Sequence, residues 1–265
     1  MDNYSNADPN PYPESSGGQP TLVPVEVVEE PSRYYMRPRQ RRVALPLVLF
    51  LATCASTLLV CLPLADIKGA LSALLAGDIA RTGAHVGQAL WLALSYAGPV
   101  MIILMCHEAG HFIQARRYGV YASLPYFIPM PFSPLGTMGA VIAMDARAGN
   151  RKALFDIGIT GPLAGLVPTL VFCFVGLKWS HTDVIGPTGD IYGSPLLFDW
   201  LAEAILGPVP EGYDVSLHPV AFAGWVGLLI TSLNLFPIGQ LDGGHILFGL
   251  LRYRAHAVAM VALVG

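Results

Sequence analysis

The chain has 265 residues, of which 54% are hydrophobic and 12% are charged, and its formal net charge is −3. Soluble domains carry about 25% charged residues, so this composition excludes an ordinary soluble protein and indicates a membrane protein. No basic patch is interleaved with aromatic residues, so nucleic acid is not a predicted partner. All four cysteines fall in apolar segments without metal-type spacing, which favours buried hydrophobes over disulfides or ligands.

Residues 1–32 are rich in Pro, Gly, Ser and acidic residues. This composition cannot bury a core, so the segment is predicted to be disordered. Five arginines follow between positions 33 and 42. Residues 1–42 are therefore predicted to form a disordered cytoplasmic tail that ends in a basic cluster beside the membrane.

Four segments reach the roughly 20 apolar residues that a membrane span needs. They are residues 43–65, 87–112, 153–177 and 219–238. We expect residues 43–254 to form one membrane-embedded core. Residues 255–265 begin a further apolar segment, so we expect the sequence to be a fragment of a longer protein.

The basic residues predict the orientation of these spans. Twelve Arg and Lys residues lie before the first span, between the second and third, and after the fourth, whereas three lie in the opposite loops. Basic loops stay on the cytoplasmic side. The N-terminus and the 113–152 segment are therefore predicted to be cytoplasmic, in what we expect to be a prokaryotic cell membrane.

The stretch ILMCHEAGHFIQA, residues 102–114, places three ionisable side chains at the cytoplasmic end of the second span. Helix positions i and i+4 share a face, so His107 and His111 can bind one ion while Glu108 reaches a water on it. This is the H-E-x-x-H arrangement of zinc hydrolases. Ionisable groups at membrane depth are functional by default, so the stretch predicts a catalytic zinc site.

Residues 118–144 carry no charge but hold four prolines and several glycines, which exclude a regular helix. Irregular backbone at membrane depth must be buried in protein or line a watery cavity. A re-entrant hairpin ending in a strand at TMGAVIAMD is predicted. Further on, SPLLFDWLAEAIL within residues 178–218 predicts a short amphipathic helix at the membrane interface.

The predicted zinc site still lacks a ligand, because a catalytic zinc typically takes three protein ligands and a water. The stretch NLFPIGQLDGGH, residues 234–245, places Asp242 at the matching end of the fourth span. His245 is a rival ligand three residues later, and Asp156, at the start of the third span, is another.

HEAGH together with NLFPIGQLDGG resembles the site-2 protease family of intramembrane zinc metalloproteases, peptidase family M50. The family pattern N-x-x-P-x-x-x-L-D-G is matched at Asn234, Pro237, Leu241, Asp242 and Gly243. The segment GTMGAVIAMDARAGNRKALFDIGITGPLAG adds to the resemblance, which covers roughly residues 87–250. No PDZ-sized insertion lies between the third and fourth spans, where some relatives carry one.

The resemblance implies that Asp242 is the third ligand of one Zn²⁺ ion and that Asn234 contacts substrate beside the active site. It also implies a membrane-inserted β element near the zinc. Asp156 is then expected to cap a helix N-terminus, and His245 to be a helix-end residue. Close helix packing is expected at Gly158, Gly161 and Gly165, in GITGPLAG.

The expected fold is an all-α polytopic membrane protein with at least four transmembrane helices and a re-entrant β-hairpin near the active site. The expected function is zinc-dependent cleavage within or next to transmembrane segments, with Glu108 as general base. Expected partners are the lipid bilayer and transmembrane or signal-peptide substrates. The alternatives are a zinc transporter, which has no use for Glu108, and an inactive scaffold, which would be expected to have lost Glu108 or a ligand.

Overall fold

The computed structural model describes residues 43–144, 150–184, 193–210, 212–239, 241–252, 255 and 260. The chain divides into two compact units, Met1–Gln40 and Arg41–Gly265, and the description below concerns the second. The predicted tail, residues 1–42, lies outside the described residues, as does most of the predicted apolar segment 255–265.

The described residues are mostly helical and form seven α-helices. They are α1 (Ala44–Val60), α2 (Leu64–Leu75), α3 (Ile79–Arg117), α4 (Arg151–Trp179), α5 (Leu196–Leu206), α6 (Pro219–Asn234) and α7 (Asp242–Leu251). Helix α5 coincides with the predicted amphipathic helix. Helix α2 was not predicted, because Asp66, Lys68 and Gly69 make its sequence look like a loop.

Two small antiparallel sheets accompany the helices. Strands β1 (Tyr126–Met130) and β2 (Gly136–Val141) form a hairpin in which Phe127 pairs with Ala140. This confirms the strand predicted around TMGAVIAMD, while its insertion into the membrane stays a prediction. Strands β3 (His181–Val184) and β4 (Tyr213–Ser216) form a second pair that an all-α fold did not anticipate.

Helices α3 and α4 are long and apolar enough to cross a membrane. Helices α1 and α2, bent by 80° relative to each other, add a third candidate if they form one broken span. Helix α6 lies within the predicted fourth span but has 16 residues. Its C-cap is Leu235, and Pro237, two residues later, cannot continue a helix. The described residues thus hold two or three candidate spans. The expectation of at least four transmembrane helices stays a prediction.

Helix α3 begins earlier than the apolar pattern predicted. The carboxylate of Asp78 accepts a hydrogen bond of 2.9 Å from the backbone N–H of Arg81, which caps the helix N-terminus. The polar residues before position 87 therefore extend the helix rather than interrupt it. Hydropathy reports where a segment is apolar, whereas the cap decides where the helix starts.

The core lies where α3, α4 and α6 pack together. Tyr96 on α3 and Val226 on α6 are fully buried there. Helices α4 and α6 approach so closely at Gly176 that a Cβ added there would lie 2.1 Å from the backbone nitrogen of Ala221. Small residues allow such close contact between membrane helices. This three-helix core fixes the positions of the side chains that α3 and α4 carry.

The β1–β2 hairpin is fastened to the helices near its turn. The hydroxyl of Tyr96 donates a hydrogen bond of 2.8 Å to the carbonyl oxygen of Leu135. The hydroxyl of Ser56, on α1, donates one of 2.7 Å to the carbonyl oxygen of Gly136. Both bonds satisfy backbone acceptors that would be costly to leave unpaired. The hairpin is therefore held against α1 and α3 as part of the fold.

Candidate metal centre

Three potential metal ligands converge at one point, although they come from two distant parts of the chain. His107 and His111 lie one turn apart on α3, and Asp242 is the first residue of α7. The Nε2 atoms of the two histidines are 3.2 Å apart. The Oδ2 atom of Asp242 lies 3.1 Å from Nε2 of His107 and 3.2 Å from Nε2 of His111. The three atoms form a nearly equilateral triangle.

The second ring nitrogen of His111 has its own partner. Its Nδ1 lies 2.7 Å from the carbonyl oxygen of Ile157 on α4. A carbonyl can only accept, so Nδ1 carries the proton and Nε2 presents its lone pair to the triangle. Histidines that bind metals commonly donate their other N–H in this way, which fixes tautomer and ring orientation.

The triangle has the dimensions of a zinc site. Zinc binds histidine nitrogen and carboxylate oxygen at about 2.0–2.2 Å in a tetrahedral arrangement, which separates two ligand atoms by about 3.3 Å. The observed separations of 3.1–3.2 Å match this value. Two imidazoles and one carboxylate also leave a fourth tetrahedral position for water. The donor set therefore fits a catalytic zinc.

Helix α4 packs directly against the two histidines because it carries glycine at the contact points. A Cβ added at Gly161 would lie 2.0 Å from Nε2 of His111, and one added at Gly165 would lie 3.0 Å from Cβ of His107. This close packing agrees with the expectation from GITGPLAG. Any larger side chain at Gly161 would occupy the space of the imidazole.

A cavity of about 160 Å³ opens beside the three donor atoms. It is lined by side chains from α3, α4, α6 and α7 and by the end of β2 with the residues that follow it. Glu108 faces this cavity and is 5% exposed. Asn234, at the end of α6, also lines it, and its Nδ2 atom lies 3.4 Å from Nε2 of His107. All five predicted site residues therefore lie around one cavity.

Neither rival ligand belongs to the group of three donors. Asp156 accepts a hydrogen bond from the hydroxyl of Tyr118, and this bond raises the pKa of the tyrosine. The expectation that Asp156 caps a helix is wrong: Asn150 is the N-cap of α4, and its side chain accepts a hydrogen bond of 2.8 Å from the N–H of Ala153. Asp156 lies one and a half turns further on.

His245 lines the cavity, although it is outside the group of three donors whose ligand atoms lie within 4.8 Å of one another. It lies in the first turn of α7, three residues after Asp242. His245 is therefore a helix-end residue, as expected, and it also lines the cavity.

Comparison with known sequences identifies the chain's family. Residues 95–263 match the model of a family described as Peptidase family M50. The chain belongs to peptidase family M50. The match contains the two histidines, Glu108, Asn234 and Asp242, and it confirms the family predicted from HEAGH and NLFPIGQLDGG. The predicted class of enzyme, a metallopeptidase, agrees with membership of this family.

Members with curated names resemble the M50 segment of this chain. Probable zinc metalloprotease EGY1, chloroplastic, from Oryza sativa subsp. japonica is 36% identical over 163 residues, or 59% of this chain and 28% of that protein. Probable zinc metalloprotease EGY2, chloroplastic, from Arabidopsis thaliana is 33% identical over 152 residues, or 56% of this chain and 27% of that protein. The chain thus spans less than a third of these relatives. No solved structure matches it.

The relatives' names bear on two further predictions. Both proteins are named zinc metalloproteases, which agrees with the zinc that the His–His–Asp set fits. Both names also say chloroplastic. The apolar helices α3 and α4 and the M50 family indicate a membrane protein, whereas the prokaryotic membrane and the cytoplasmic orientation stay predictions.

Proposed function

We propose that this chain is a zinc-dependent endopeptidase that cleaves membrane proteins within or next to their transmembrane segments. The observation that carries the proposal is the position of the donor triangle along α4. Gly161, whose added Cβ would lie 2.0 Å from Nε2 of His111, is the eleventh residue of the 29-residue helix Arg151–Trp179. At about 1.5 Å per residue, this donor lies about 15 Å from the start of the helix and about 27 Å from its end. A donor this far inside an apolar helix supports hydrolysis inside the bilayer.

In the proposed site, His107, His111 and Asp242 hold one zinc ion. When bound, the zinc lowers the pKa of a water molecule and polarises the scissile carbonyl group. Glu108 follows His107 directly, and it lines the same cavity. Glu108 takes a proton from the attacking water and later delivers it to the leaving amide nitrogen. This division of roles is that of H-E-x-x-H hydrolases.

Two features of the cavity suit an unwound substrate. A helix hides its carbonyl groups in internal hydrogen bonds, so a transmembrane substrate must be extended before it is cut. Strand β2 pairs with β1 along one edge, and two residues of β2, Ala140 and Val141, line the cavity. A peptide added to the other edge of β2 would be held in extended form. Asn234 would then contact the substrate backbone beside the zinc.

The proposed substrates are membrane-tethered proteins or remnant signal peptides, and the second proposed partner is the lipid bilayer. The distribution of Arg and Lys supports an orientation with the N-terminus and the mouth of the site in the cytoplasm. Reporter fusions placed before residue 43 and between residues 145 and 149 test this orientation. This orientation predicts that both reporters lie in the cytoplasm. A reporter on the opposite side of the membrane at either position would contradict it.

The decisive experiment replaces Glu108 with Gln. The variant should retain one zinc per chain, measured by mass spectrometry of the purified protein, while fragments of transmembrane segments accumulate in the membrane proteome. The matched control is Glu203→Gln, which changes an exposed acid on α5 and should leave the proteome unchanged. Cleavage that continues in the Glu108 variant would refute the proposed base. Zinc movement across the membrane without any peptide cleavage would indicate a transporter instead.

A further inference from the structure

His245 faces the same cavity as Glu108 and the three donor atoms, and its role follows from what surrounds it. No described group hydrogen bonds to its imidazole, although the residue is partly buried. The first turn of α7, which contains His245, packs against α4. A Cβ added at Gly158 on α4 would lie 3.4 Å from Cβ of His245. The packing therefore holds the residue at the cavity wall, while the ring nitrogens remain available to a ligand.

Six polar side chains line the cavity. They are His107, Glu108, His111, Asn234, Asp242 and His245. Three of them form the donor triangle and a fourth is the proposed base. Asn234 and His245 remain available for a substrate, and they come from different elements, α6 and α7.

An extended substrate needs such partners. A peptide strand paired along one edge directs about half of its backbone N–H and C=O groups away from its neighbour. In a membrane, leaving such a group unpaired is costly because no lipid atom can replace the water that was lost. The wall of the cavity must therefore supply donors and acceptors for the side of the peptide that β2 does not reach.

We propose that His245 is a substrate-binding residue whose imidazole N–H donates a hydrogen bond to a backbone carbonyl group of the extended peptide. The inference rests on the proposed function, because it requires a peptide in the cavity. His245 lies three residues after Asp242 on the same face of α7, so the carbonyl that it binds is near the scissile bond. Its ring nitrogens need not approach the metal.

The test uses the full chain in nanodiscs with cobalt(II) in place of zinc, so that ligand binding is read from the visible absorption of the metal. Two probes are titrated: acetohydroxamate, which contacts the metal alone, and an N-acyl leucyl-phenylalanyl hydroxamate, which also occupies the peptide site. The variants are His245→Leu, which removes the donor, and His245→Gln, which retains an N–H. His181→Leu, an exposed histidine on β3, is the control.

The wild-type protein should bind the peptidyl hydroxamate more tightly than acetohydroxamate. His245→Leu should weaken the binding of the peptidyl probe about tenfold, as expected for one lost hydrogen bond. The affinity for acetohydroxamate should be unchanged. His245→Gln should restore most of the affinity, and His181→Leu should match the wild type. Unchanged acetohydroxamate binding also shows that the Leu variant is folded.

Three results would overturn the inference. Equal losses for both probes would show that His245 supports the metal instead. An unchanged affinity of His245→Leu for the peptidyl probe, with the wild-type preference intact, would reject His245 alone and leave the proposed function standing. A wild-type protein that binds both probes equally would reject both the peptide site and the proposed function.

Discussion

The Nδ1 atom of His111 donates a hydrogen bond of 2.7 Å to the carbonyl oxygen of Ile157, and this bond joins α3 to α4 at the candidate metal centre. It decides which nitrogen of His111 is free to bind a metal. It also makes ligand orientation depend on the register between the two helices. That register is set by glycine, because Gly161 on α4 lies directly under the His111 ring.

Gly161→Ala should therefore disrupt metal binding although it replaces none of the ligands. The added methyl group would lie 2.0 Å from Nε2 of His111, so the imidazole or the helix must move. Losses of ligand orientation typically cost 10–100-fold in metal affinity, and we expect a loss in this range, measured by competition with a zinc chelator. Gly98→Ala on α3 is the control because nothing lies within 4 Å of its added Cβ. Equal zinc affinity in the two variants would contradict this account.

Asp242→Asn should lower zinc affinity by at least tenfold, because a neutral amide is a poor replacement for a carboxylate ligand of zinc. The substitution keeps the shape of the side chain, so α7 should still form. Asp156→Asn provides the comparison, since that carboxylate is bonded to Tyr118 and is not in the donor group. Chelator competition on both variants checks the assignment. If Asp156→Asn lost zinc and Asp242→Asn retained it, the rival ligand would be correct.

The site could be predicted from the sequence because its chemistry is concentrated in two short stretches. HEAGH and NLFPIGQLDGG hold every predicted site residue, and polar groups inside apolar segments stand out against their surroundings. The contact between His111 and the carbonyl of Ile157 could not be predicted, because a backbone group has no sequence signature. His245 was recognised as a residue of interest, but its exposure to the cavity depends on how α7 packs against Gly158.

The fold was less predictable where hydropathy is a poor guide. Helix α2 and strands β3 and β4 lie in connections between apolar segments, and their positions depend on tertiary contacts. Strand β3 illustrates this: its register with β4 pairs Asp183 with Asp214, and both are residues with low β-propensity. The Asp156 error has a related cause, since a carboxylate near the start of a helix resembles a cap. The true cap, Asn150, precedes the helix and is not acidic.

Ile142→Pro should slow peptide cleavage while zinc remains bound. Ile142 directly follows β2 and lines the cavity beside the donor atoms. Proline removes the backbone N–H and fixes φ, which weakens any strand added at this edge. Ile142→Val retains the N–H and most of the apolar contact, so it should cleave at the wild-type rate. Turnover of a transmembrane reporter and zinc content are measured together. An unchanged rate in the proline variant would remove β2 from the proposed substrate site.

Gly136→Ala should destabilise the protein more than Gly139→Ala does. Both glycines lie in β2 with positive φ, +73° and +95°, so alanine is strained at each position. The difference lies in the surroundings: a Cβ at Gly136 would be 2.7 Å from Cα of Thr57 on α1, whereas nothing lies within 4 Å at Gly139. Backbone atoms cannot yield as a flexible side chain would, so the hairpin or α1 must shift.

We expect the extra destabilisation of Gly136→Ala to be about 2 kcal/mol, measured as a lower midpoint of thermal unfolding in detergent. Ser56→Ala removes the hydrogen bond to the carbonyl oxygen of Gly136, and it should lower the midpoint by a smaller amount, because a single hydrogen bond contributes about 1 kcal/mol. Zinc content should stay at the wild-type level in all three variants, since the donors lie on α3 and α7. If Gly136→Ala and Gly139→Ala unfolded at the same temperature, backbone strain alone would explain both, and the contact with Thr57 would not anchor the hairpin.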